Sequence, residues 1–161
     1  MAVDLFMNMS GIEGDTVDAA QSKTKDMDVL AWSWGMSQSG TTHMGAGGGA
    51  GKANFQDLSF TKYIDGATNA IMTALASGKH LPKCVLLARR AGTTQVAYVE
   101  IIMEDVMVTS VSTGGSGGEE RFTENVTLNF AKVKFNYYPQ KKDGSKDAPK
   151  PFTWDIAGNV K

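Results

Sequence analysis

Little in this 161-residue chain supports covalent or metal chemistry. Its one cysteine, Cys84, cannot form an internal disulfide, and with His43 and His80 as the only histidines the set falls short of a structural zinc site. Charge of one sign is also missing, with 16 Lys and Arg against 17 Asp and Glu, which excludes a surface built to seek polyanions and argues against nucleic-acid binding. The longest apolar run, Cys84 to Ala88, is too short to span a membrane, and Met1 to Met9 carry no Lys or Arg, so neither an anchor nor a signal peptide is expected. Hydrophobic residues at 42% argue against disorder, and the length suits one domain, 1–161, with a single core.

Glycine is the outlier, with 18 residues concentrated in two clusters. Gly40 to Lys52 holds six glycines in thirteen residues and reads as a long flexible loop; Gly114 to Gly118 reads as a turn. Elsewhere the dominant period is that of strands. Val3, Leu5, Met7 and Met9 alternate as a short edge-like strand. Leu30, Trp32, Trp34 and Met36 form a bulky parity that reads as core, with Trp32 and Trp34 as anchors, and Val29, Ala31, Ser33, Gly35 and Ser37 form a small one. A register change between Phe55 and Leu58 and a parity flip at Ala131–Lys132 both predict bulges.

Ala67, Ala70, Ile71, Ala74 and Leu75 follow a helical period. With Asp65 as the cap and Gly78 just past the end, they predict one helix over Gly66–Ser77. Cys84–Arg90 and Thr94–Val111 form a hairpin whose second strand is apolar on both parities, which implies cover by the helix, by barrel closure or by a partner. A last strand carries Phe152, Trp154 and Ile156. The pattern describes a mainly β fold: a small antiparallel β-barrel with one α-helix beside it and a long glycine-rich loop.

The motifs that suggest catalysis fail on context. Ala46 to Lys52 approximates a phosphate-binding loop, but Ala53 replaces the magnesium-binding hydroxyl and a strand follows where a helix is required. Gly114 to Gly118 matches a nucleophile elbow, yet a strand follows it and both histidines precede it. His80 reads as a cap on the helix dipole, and Cys84 as a buried apolar residue. Glu100 and Glu104 share a face and could act as an acid and a base, although surface pairing with Lys fits them better. No cofactor is expected. Charge is segregated along the chain: from Lys132 to Lys161 seven Lys face three Asp, a net of +4, leaving nine basic and 14 acidic residues, a net of −5, upstream. Two readings follow, a solvated surface or head-to-tail matching of identical copies.

Asp4-Leu5-Phe6, Gly11 to Asp15, Val29 to Ser37, Asp57 to Lys62, Ser110 to Gly115 and Glu124 to Ala131, in this order and spacing, closely resemble the Hcp (haemolysin-coregulated protein) family of bacterial type VI secretion. The resemblance runs nearly end to end. It implies a non-enzymatic tube protein: a homohexameric ring with a wide channel, rings stacked into a tube, a contractile sheath, a VgrG-type spike and effector proteins as cargo. It also implies assembly in the bacterial cytoplasm followed by secretion without a signal peptide. On this resemblance Ala31 and Ser33 line the channel. Gly45, Gly47, Gly48, Gly49, Gly51 and Lys52 are expected to connect ring to ring, since the loop has little to pack on within one subunit. A carrier or chaperone for effectors is a compatible second role, and a hydrolase or nucleotide-binding enzyme the remaining alternative. One departure is Asn69, where many members have proline early in the helix.

Overall fold

The computed structural model describes residues 2–40, 43, 51–92 and 95–161. Among these lie ten strands, β1 (Val3–Met9), β2 (Met27–Val29), β3 (Ala31–Ser33), β4 (Met36–Ser37), β5 (Asn54–Phe55), β6 (Leu58–Tyr63), β7 (His80–Arg90), β8 (Val96–Gly114), β9 (Thr123–Tyr137) and β10 (Lys150–Asp155), one α-helix, α1 (Thr68–Ser77), and a short 3-10 turn over Gln21–Thr24. Seven strands run in the order β2-β1-β7-β8-β9-β6-β3, with β10 also pairing β9. The two outermost strands, β2 and β3, are consecutive in the chain. They meet at Leu30, whose N–H donates to the Thr61 carbonyl at 2.8 Å, so the sheet curls into a nearly closed barrel.

That bend at Leu30 overturns the reading of 29–37 as one strand. Val29 is buried in the core and Leu30 is exposed, because β2 pairs with β1 and β3 pairs with β6 across the corner. Met36 is exposed as well, on a separate two-stranded ribbon of β4 and β5. The irregularity at Phe55–Leu58 is therefore a change of sheet rather than a bulge. Nor is β1 an edge: it pairs with β2 on one side and β7 on the other.

The parity flip at Ala131–Lys132 is real but is not a bulge. Phe130 and Val133 are both buried, yet the β8–β9 register is unbroken there, running from Val106↔Phe130 to Glu104↔Lys132. The three central strands change face together, between Leu81 and Cys84 in β7, Met103 and Val106 in β8, and Phe130 and Val133 in β9. Asp105, with φ 53°, is the residue of β8 that turns. A strand switches face only by an irregular step, and a shared step keeps its ladder intact. The register shifts lie elsewhere, between Ala88 and Arg89 and between Val108 and Ser110. The switch also explains why both parities of β8 are apolar: Ile101, Met103, Val106 and Val108 all point inward, and Tyr98, Ile102 and Met107 remain as its large apolar residues on the other side.

The core joins Met7, Met9, Met27, Leu58, Phe60, Leu81, Leu86, Ile101, Met103, Val126 and Leu128 to Ile71 and Ala74 of α1. The helix begins at Thr68, two residues later than its periodicity suggested, because Asp65 and Thr68 form a turn: the Asp65 carboxylate accepts the Ala67 N–H, and the Thr68 hydroxyl accepts the Asp65 N–H. It ends at Gly78, whose φ of 66° places it in the left-handed cap that glycine adopts without strain.

Inside the barrel, on the parity of Leu58 and Phe60, stands Lys62, fully buried. Its ammonium donates to Glu124, to Asp65 at 2.8 Å and to the Tyr63 carbonyl at 2.9 Å, while the Thr68 hydroxyl also donates to Glu124 at 2.8 Å. This network ties β6, β9 and the first turn of α1 together. Removing one member strands the others, so Lys62→Met is expected to cost about 3–5 kcal/mol in urea unfolding, with Lys62→Met/Glu124→Leu recovering much of that loss.

A second ion pair pins the 11–26 segment over β1. Arg89, buried over the Phe6 ring at 4.7 Å, donates to both oxygens of Asp18, at 3.2 and 2.6 Å. The guanidinium hydrogen bond is the largest influence holding the Asp18 carboxyl at about 2, below its ordinary 3.8. A lowered folded-state value means the pair stabilises above about pH 4 and loses its contribution as pH falls towards 2. Thermal melts should show the gap between the wild type and Asp18→Asn constant from pH 7 to 4 and closing below it.

Candidate functional site: the outward wall of β3, β6, β9 and β8

Register alone assembles a surface from four strands. Ala31 lies opposite Thr61, Thr61 opposite Asn125 and Asn125 opposite Ser112; in the next row Ser33 lies opposite Ser59, Ser59 opposite Thr127 and Thr127 opposite Ser110. Each of these residues has the parity that points away from the core, since the intervening Phe60, Val126 and Leu128 are buried. Ala31 and Ser33 are exposed. The two rows contain no ionisable group and nothing larger than asparagine.

The wall's hydroxyls are organised. Thr61 donates to the Asn125 side-chain carbonyl, and Thr109, the extra residue at the β8 register shift, sits 2.7 Å from the Thr127 hydroxyl and donates to Asp57 at 2.7 Å. Asn129 donates to the other oxygen of Asp57 at 2.9 Å. The two rows offer neutral hydrogen-bonding groups, and the carboxylate beside them, Asp57, is held by Thr109 and Asn129. Six of its eight members, Ser59, Thr61, Ser110, Ser112, Asn125 and Thr127, escaped the sequence reading. Their signal was the alternation of small polar with bulky residues in Leu58-Ser59-Phe60-Thr61 and Val126-Thr127-Leu128.

Trp32 and Trp34 are half-buried rather than central. Trp34 stacks with Phe55 at 6.3 Å and Phe135 at 6.5 Å, lies 6.2 Å from Phe130, and donates its indole N–H to the Gln56 carbonyl at 2.9 Å. It fastens the root of the β4–β5 ribbon, from which the glycine-rich loop departs, onto the sheet. Gly45, Gly47, Gly48 and Gly49 lie outside the described residues. Gly51 and Lys52 lie within them, exposed, just before β5.

The remaining candidates are not brought together. Ser116 sits in a strand-to-strand turn and donates to Glu119 at 3.4 Å. His80 does not cap α1, whose last carbonyls take the Gly78 and Lys79 N–H groups; it pairs with Asp105 at 2.7 Å instead. Cys84 is buried, and desolvation pushes its thiol up to about 12, away from reactivity. Glu100 accepts from Asn136 and Tyr138, each at 3.2 Å, and Glu104 is flanked in register by Lys83 and Lys132. The two acids are held by separate neighbours.

A nearly closed β-barrel with one α-helix and a neutral, outward-facing wall defines a small, mainly β protein. The comparisons with known proteins agree. Residues 6–137 match the family described as "Type VI secretion system effector, Hcp". Over 162 residues the chain is 56% identical to "Protein hcp1" of Pseudomonas aeruginosa, with 99% of each chain covered. A solved type six secretion system protein shares its fold at a TM-score of 0.89 and 25% identity over 98% of both chains, and Hcp1 from Salmonella typhimurium does so at 0.79 and 32% over 99% of both. The chain belongs to the Hcp family of type VI secretion.

Trp34→Ala removes the aromatic clamp from a half-buried site, so unfolding should cost less than the roughly 3–5 kcal/mol of a fully buried aromatic. Chemical denaturation should give a shift of about 2 kcal/mol, whereas Trp34→Phe should recover most of it.

Proposed function

We propose that this chain is the repeating subunit of a type VI secretion tube. Six copies form a ring in which the wall carrying Ala31 and Ser33 lines a central channel, and rings stack into a tube that a contractile sheath drives out behind a VgrG-type spike. Assembly takes place in the bacterial cytoplasm, and the subunit leaves the cell with the tube. Its role is mechanical and conductive, without catalysis or a cofactor, and effector proteins travel in the channel. The whole of residues 1–161 acts as one tube domain.

One observation carries this reading: two rows of small, neutral side chains cover four adjacent strands on the outer side of a barrel whose bulky residues point inward. A channel wall needs to touch cargo weakly and leave it free to move. Hydroxyl and amide groups give such a surface, because they offer weak contacts without a deep pocket or fixed charge. In this reading the glycine-rich loop containing Gly45, Gly47, Gly48, Gly49, Gly51 and Lys52 contributes to contacts between rings.

Ser33→Gln places a longer amide on the wall without touching the core. Ring formation, read by negative-stain microscopy and light scattering, should be unchanged, while effector retention or export should fall by about tenfold or more. Loss of the ring instead would place Ser33 at a subunit joint, and unchanged export with intact rings would remove it from the channel.

A further inference from the structure

The long β8–β9 hairpin has two ends of opposite charge, each with exposed aromatic or aliphatic surface beside the charges. At its turn end, residues 115–122 carry Glu119 and Glu120, both exposed and in no ion pair among the described residues. Beside them stand Phe122, 47% exposed, and Ile64, 40% exposed, held together by the Ile64 N–H donating to the Phe122 carbonyl at 3.0 Å. The Phe122 ring lies across Gly115, where a Cβ would approach it to 2.1 Å, so glycine there lets the ring fold over the turn. Arg121 is the one cation in the turn, and it is drawn aside, 3.9 Å over the Tyr63 ring.

The open end, where β8 begins and β9 ends, is basic. The hairpin that follows β9 is closed by the Lys141 N–H to the Ser145 carbonyl at 2.8 Å and presents Lys141 and Lys142 to solvent, again in no ion pair among the described residues. Lys146 lies 4.9 Å from the Tyr138 ring, and Arg90 lies 4.5 Å over Tyr98 and donates to Gln140 at 2.7 Å. Tyr98 and Tyr137 pack edge to face at 5.9 Å and are 36% and 37% exposed. Asp143 is the acid of the hairpin tip, and its carboxylate is already taken by the Ser145 N–H and hydroxyl.

Two different patches at opposite ends of one hairpin, complementary in charge and each with apolar surface, suit a second copy of the same chain placed end to end. Such a contact is heterologous, so it propagates instead of closing as a twofold dimer. We infer that Glu119, Glu120, Phe122 and Ile64 of one copy dock on Lys141, Lys142, Tyr98 and Tyr137 of the next, and that these charges set the polarity and salt dependence of stacking. The inference rests on the tube reading above and specifies its joint. Like charges at a joint oppose association, and opposite charges speed and orient it. The Lys-rich segment is thereby placed: the part of the +4 stretch that matters is the Lys141–Lys142 hairpin.

Two variants test it, Glu119→Lys/Glu120→Lys and Lys141→Glu/Lys142→Glu, examined by sedimentation and negative-stain microscopy in about 0.05 M and about 1 M salt, where the screening length falls from well over 10 Å to roughly 3 Å. Each variant alone has the same sign at both ends. It should keep its rings and lose at least about tenfold of its stacked fraction at low salt. Mixed in equal amounts, the two should stack again as an alternating array, because each joint then has opposite charges. Stacking of the wild type should weaken in high salt. Either variant stacking alone like the wild type, or a mixture that fails to recover, overturns the inference and leaves the tube reading standing. Loss of rings in either variant would assign these residues to contacts within a ring and likewise overturn it. Wild-type rings that never associate at low salt would remove both readings.

Discussion

The pairing of β8 with β9 is the constraint from which the other contacts follow. It is continuous from Gly114↔Thr123 to Val99↔Tyr137, interrupted by one register shift, and it leaves each strand a free edge for others to use. On β8 that edge takes β7, which in turn carries β1 and β2. On β9 the edge is divided: β6 occupies Thr123 to Leu128 and β10 occupies Lys132 to Tyr137. A strand this long cannot stay flat, and the shared change of face at Asp105 lets one hairpin serve two curved surfaces. The barrel half closes through β6, β3 and the bend at Leu30, while the half with β10 receives the Trp34 clamp and the ribbon beside it.

Closing the barrel leaves an end to be covered, and the chain covers it with charge. Lys62 and Glu124 sit at interior positions where Leu58 and Val126 would suggest further apolar residues. An apolar pair could fill the same space. The ionic cluster adds direction, since Asp65 and Thr68 fix where α1 begins and how it meets β6 and β9. Buried hydrogen-bonded networks of this kind specify an arrangement more than they add net stability. The Asp18–Arg89 pair does for the 11–26 segment what Lys62 does for the helix. Both fix where chain outside the sheet meets the barrel.

The outward wall is a by-product of this register. Four strands that bury bulky residues on one parity must present the other, and in the two rows that start at Ala31 and Ser33 the other parity is serine, threonine, asparagine and alanine. If the wall lines a channel, as proposed above, its neutrality leaves unlike cargoes free to pass. The two rows of the wall carry no charge, whereas both ends of the β8–β9 hairpin do, which distinguishes the surface proposed to meet cargo from the surfaces proposed to meet other copies.

The sequence by itself determined the β class, the single α-helix and its glycine cap, the small parity of Ala31 and Ser33, and the family. Each of these is carried by local period or by residue order, so it can be read without knowing which strands are neighbours. Only the tertiary structure decided that Leu30 is a corner, that the flip at Ala131–Lys132 is shared by three strands, that Lys62 points into the core, and that Ser59, Thr127 and Ser110 stand in line with Ser33. These depend on register between segments up to 94 positions apart in the chain, as Ser33 and Thr127 are. The physical reason is that a strand's alternation says which residues share a face, whereas its partner and the bends between them decide what that face meets.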